Sequence, residues 1–108
     1  MIDWSHVEEL KDDMADGFDE VVTVFLEEVE EGVAKLGTCA SPDSLAAGLH
    51  FLKGAALNLG FTQFAALCSD GELQAEKGQI EAIDLAAVAT CYKTSLQEFQ
   101  AGLQQRAA

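Results

Sequence analysis

Between Phe18 and Leu36 the apolar residues Phe18, Val21, Val22, Phe25, Leu26, Val29, Val33 and Leu36 recur at i, i+3, i+4 and i+7, while Glu27, Glu28, Glu30 and Glu31 occupy the wet side. That spacing gathers one apolar stripe on a helix and leaves no alternation for a strand. Leu85, Val88, Ala89, Tyr92, Leu96, Phe99 and Leu103 repeat the pattern behind Asp84, a candidate cap. The sole proline, Pro42, follows Ser41 and precedes Asp43. This is the order of an N-cap residue, a proline at the first helical position and an acid near the positive end of the helix dipole. A helix is predicted from there to Gly60, a left-handed terminator. The next runs from Gln63 to Lys77, capped by Thr62 and stopped at Gly78. A shorter one spans Trp4 to Met14, turns Val7 and Leu10 inward and is broken by Asp16-Gly17. β-branched residues are sparse. The expected fold is all-α: four long helices in an antiparallel up-and-down four-helix bundle, with the short additional N-terminal helix across one end.

The 108 residues, 49% of them hydrophobic, suit a single domain over 1–108 with one continuous core. No apolar run approaches the roughly 18 residues that span a bilayer, and the chain opens on Ile2-Asp3-Trp4 rather than on a basic segment followed by a greasy one. A soluble, cytoplasmic protein is expected. Six basic against nineteen acidic residues give a net charge of −13, which repels a phosphate backbone. Nucleic acid and anionic membranes are therefore poor partners. Cys39, Cys68 and Cys91 are odd in number and lack Cys-x-x-Cys spacing, so free thiols in a reducing compartment are expected, with Cys68 on the core face beside Phe64, Leu67 and Ala75.

One run carries chemistry. In His50-Phe51-Leu52-Lys53-Gly54-Ala55-Ala56-Leu57-Asn58-Leu59-Gly60, about 100° of turn per residue gathers Leu45, Leu49, Leu52, Ala56 and Leu59 on one face. His50 and Gly54 then point roughly 140–180° from its centre. The run resembles the phosphoacceptor helix of histidine-containing phosphotransfer (HPt) domains, with its His-x-Leu-Lys-Gly core and closing glycine. The match is close from about Leu45 to Lys77; the flanking helices agree by pattern. Phe51 and Ala55 stand where such domains often have a small polar residue, a departure that bears on partner choice.

A histidine nucleophile needs one nitrogen lone pair aimed outward and its proton held on the other nitrogen. Glu72, 22 positions after His50, borders the apolar face of the next helix. The resemblance implies that His50 is the phosphoacceptor, that Glu72 accepts a hydrogen bond from Nδ1–H, and that Nε2 takes the phosphoryl group. The plain alternative for Glu72, flanked by Asp70 and Glu76, is a solvated surface carboxylate. Lys53, one turn from His50, is placed to stabilise phosphoryl oxygens electrostatically, or else is a snorkelling surface lysine; Lys77 adds charge at the far rim. Gly54 costs roughly 1 kcal/mol against alanine inside a helix, a cost explained if a partner must approach the ring. Leu57 and Phe61 project to the same side, either as an apolar docking margin or as residues covered by the N-terminal helix.

The partners implied by the resemblance are response-regulator receiver domains, a hybrid sensor kinase, or both, with the chain itself expected to be a monomeric carrier. No glycine-rich nucleotide loop is present, so kinase activity is not expected. No cofactor is expected, the Mg²⁺ of the reaction belonging to the receiver. Two other classes remain open at this level: an acidic helical adaptor or inhibitor without phosphoryl chemistry, and a metal-binding bundle using His6 and His50. The latter lacks the Glu-x-x-His repeats of di-iron bundles.

Overall fold

A computed structural model describes residues 2–39 and 41–107. Five α-helices follow one another: α1 (Trp4–Met14), α2 (Phe18–Leu36), α3 (Pro42–Leu59), α4 (Thr62–Glu76) and α5 (Leu85–Ala107), with single 3₁₀ turns at Ala15–Gly17 and Ile80–Ala82. Among the described residues the only β pairing is an isolated bridge between Ile2 and Phe61.

The predicted punctuation acts largely as expected. Ser41 caps α3 by accepting from Ser44 N–H at 3.2 Å, and Ser44 Oγ accepts in return from Ser41 N–H at 3.3 Å, so two orphan donors are satisfied together. Gly60 ends the helix at φ 76°, where an L side chain is strained. Asp84 accepts from Ala87 N–H at 3.0 Å and opens α5. Thr62 is different: it lies inside α4, and Phe61 occupies the cap position without a side-chain hydrogen bond to the helix. Only Gly60 and Phe61 separate the two helices, so the chain re-enters a helix before a polar cap can be placed.

The stripes read from the sequence meet in one core. α3 contributes Leu45, Leu49, Leu52, Ala56 and Leu59; α2 contributes Val22, Val29 and Leu36; α4 contributes Phe64, Cys68 and Ala75; α5 contributes Val88, Tyr92 and Phe99. α3 is central, packing on both α2 and α4. Tyr92 on α5 also reaches α2, donating its hydroxyl to Glu30 Oε2 at 3.1 Å.

α1 closes the end of the bundle where α3 turns into α4. Asp3 N–H donates to Gly60 C=O at 2.8 Å. The His6 ring meets Asn58 C=O at 2.9 Å; a carbonyl only accepts, so Nε2 carries the proton there. That contact satisfies a carbonyl in the last turn of α3. Trp4 stacks on Phe99 with ring centroids 5.9 Å apart, and the Arg106 guanidinium lies 3.9 Å over the indole. Gly102 makes this possible, because a Cβ at that position would overlap the Trp4 ring.

Of the two readings left open for Phe61, the structure takes the covered one and removes the residue from the docking margin. Phe61 is fully buried, edge-on to Phe99 at 5.2 Å and tilted against Tyr92 at 6.4 Å, so it belongs to the core and offers nothing to a docking partner. The projection that put it beside His50 assumed continued helix, whereas the left-handed Gly60 redirects the chain just before it.

Candidate functional site

The site is built by the pairing of α3 with α4. Leu49 and Leu52, flanking His50, are fully buried, which fixes the rotation of α3 and turns the His50 ring outward. Its side chain is 68% exposed, against 29% for Lys53 and 14% for Glu72. On α4, buried Cys68 and Ala75 set the roll of the helix and bring Glu72 to the α3 boundary. There Glu72 Oε2 lies 3.0 Å from His50 Nδ1, and Oε1 lies 3.2 Å from Lys53 Nζ. Oε1 is shielded from solvent and has no aligned hydrogen-bond donor among the described residues, so its contact with Lys53 is electrostatic.

The charge state follows from these contacts. Partial burial pushes the Glu72 carboxyl up, but the Lys53 ammonium together with the hydrogen bond and charge of His50 outweighs it and holds the group below its ordinary value. Glu72 is thus an acceptor at neutral pH, and His50 Nδ1 must donate to it. In the neutral ring the remaining lone pair then sits on Nε2, which takes no part in the contact with Glu72. A histidine so arranged can attack an electrophile without first losing a proton.

The other expected residues separate. Above Gly54 nothing lies within 4 Å of where a Cβ would be, so the surface next to the ring is flat and open. Leu57 is 52% exposed on the same face of α3. Lys77 is not brought to the site: it is the C-cap residue of α4, five positions past Glu72 and therefore about 140° round the helix from it. Two exposed apolar residues adjoin the site residues in the chain, and the sequence reading did not count them with the docking margin. Phe51, next to His50, and Leu73, next to Glu72, are both about half exposed. Phe51 also lines a groove between α2 and α3 with Gly32 and Gly48. The signal for Leu73 was its place about 100° round α4 from Glu72, outside the apolar stripe.

A family model for the Hpt domain matches residues 20–106. The chain belongs to the Hpt domain family. Comparison with curated proteins and with solved structures gave no match. Hpt domains are phosphocarrier modules that perform histidine phosphotransfer in phosphorelay signalling and interact there with receiver domains and kinases. The matched span starts within α2 and contains α3 and α4, and with them His50, Lys53 and Glu72. No helix of the described residues in this Hpt domain is long and apolar enough to cross a membrane.

Proposed function

We propose that this Hpt domain accepts a phosphoryl group on His50 Nε2 from the aspartyl phosphate of one receiver domain and passes it to the aspartate of another. The observation that carries the reading is the 3.0 Å contact between His50 Nδ1 and the Glu72 carboxylate on an otherwise open ring. In the forward step the Nε2 lone pair forms the N–P bond as the P–O bond to aspartate breaks, its electron pair leaving with the carboxylate. In this reading Lys53, one turn from His50, meets charge on the phosphoryl oxygens. Gly54, Leu57, Phe51 and Leu73 form the surface over which a receiver approaches. The four long helices are read as an antiparallel up-and-down bundle, in keeping with the two-residue link between α3 and α4, and the module acts as a monomer.

The test is transfer from a receiver carrying radiolabelled phosphate. The protein should acquire acid-labile, base-stable label, and His50→Gln should acquire none while its stability stays within about 0.5 kcal/mol of the parent, as expected for an exposed side chain outside the core. Label that persists in His50→Gln would place the acceptor elsewhere.

A further inference from the structure

The group holding the His50 ring is a charged carboxylate that is itself paired with an ammonium. This matters once the ring is phosphorylated. Resting His50 carries its proton on Nδ1, so attack through Nε2 moves no proton and leaves a ring with Nδ1–H on one side, N–P on the other and a positive charge between them. In that form the N–P bond breaks with its electron pair returning to Nε2, and the ring leaves as neutral imidazole. If Nδ1 loses its proton to solvent, the same cleavage must expel an imidazolate, a far poorer leaving group.

We infer that Glu72 is a positioning residue whose negative charge keeps Nδ1 protonated in the phosphorylated protein, holding the phosphoryl group in its transferable form, and that Lys53 opposes this through the same carboxylate. The inference rests on His50 being the phosphoacceptor. Its basis is the single carboxylate shared by the ring, 3.0 Å from Oε2, and by Nζ, 3.2 Å from Oε1. Glu72 is the less exposed partner in both contacts, so its charge is screened less than a surface acid's. The other charges near the ring are few. Glu76 lies one turn further along α4 and is exposed, and Asp43 is the only other ionisable group on α3 besides His50 and Lys53. On the α2 side Glu28 and Glu31 line the groove beyond Phe51, with Glu31 already paired to Lys35 at 2.8 Å.

Chemical labelling with phosphoramidate, followed by the rate of phosphoryl loss against pH, tests this without a receiver. In the parent the rate should fall on the alkaline side at the pH where Nδ1 deprotonates. Glu72→Gln keeps the shape and an acceptor but removes the charge. It should move that midpoint down by about one unit, the low end for an opposite charge at this range because the ring is largely exposed. Lys53→Gln should move it up. Opposite shifts in two variants that melt like the parent are not the mark of a merely structural contact. Coincident midpoints in parent and Glu72→Gln, or shifts of the same sign in both variants, would overturn the inference while leaving His50 as acceptor. If instead the parent and His50→Gln label alike, the acceptor assignment falls and takes the inference with it.

Discussion

At Gly54 the helix forgoes side-chain propensity in exchange for open space next to the His50 ring. Nothing in the fold requires glycine there, since no atom lies within 4 Å of a built Cβ. Gly54→Gln should therefore stabilise the protein by up to about 1 kcal/mol, the propensity difference inside a helix. Receiver-dependent transfer should drop, on the order of a hundredfold if the long side chain displaces the donor by about 1 Å from its near-attack distance. Urea melts and transfer rates on the same samples check the pair of effects. A fall in stability would reveal a packing role for the glycine, and unchanged transfer would mean that the receiver does not approach over this face. Phosphoramidate labelling of the same variant should be nearly unaffected, because a small donor needs no docking.

Helix ends illustrate how elements are positioned by a few backbone groups. Gly60 combines a left-handed φ of 76° with the approach of α1: a Cβ there would lie 2.9 Å from Asp3 C=O and 3.2 Å from Val7 Cγ2. The residue both stops α3 and receives α1, through the Asp3-to-Gly60 hydrogen bond of 2.8 Å. Gly60→Ala is expected to destabilise by about 2 kcal/mol or more, since strain at a left-handed position, of order 1–3 kcal/mol, is joined by displacement of α1. Thermal unfolding gives the magnitude. Proteolysis should show α1 released first, because it lies at the periphery while α3 is held between α2 and α4. A Gly60→Ala protein as stable as the parent would show that α1 docks independently of this turn.

Across the whole molecule, charge and burial are segregated. α2 carries Asp19, Glu20, Glu27, Glu28, Glu30 and Glu31, whereas α3 carries only Asp43, in its first turn, so α3 itself adds almost no acid and the carboxylate beside His50 comes from α4. The total of −13 opposes compaction through self-repulsion. Raising ionic strength from about 0.01 to 0.15 M shortens the screening length from about 30 to 8 Å and should raise the melting temperature; a fall would mean that favourable pairs such as Glu31–Lys35 dominate. Cys68 reports on the core, because burial, with a smaller contribution from Cys91, pushes its thiol up to about 12. Iodoacetamide at pH 8 should leave Cys68 unmodified in the native protein and modify it in denaturant. Rapid native labelling at Cys68 would show that the α4–α5 contact opens readily.

What local chemistry determines was legible in the chain: the apolar period of α2, the Ser41-Pro42 start of α3, the Gly60 stop and the outward roll of His50 depend on neighbours within a turn or two. Glu72 was legible as a candidate because both helices had readable faces, and the distance between them is the part supplied by packing. Phe61 and Thr62 were not legible, because a left-handed residue redirects everything after it. Lys77 was a misreading of a legible pattern, since periodicity alone puts it about 140° round α4 from Glu72. The place of α1 was equally beyond local reading, since Trp4 finds Phe99, Gly102 and Arg106 from the far end of the chain. Short-range periodicity specifies which face of a helix is dry, while only the closed bundle decides which dry faces meet, and hence that the Glu72 carboxylate stands against both His50 and Lys53.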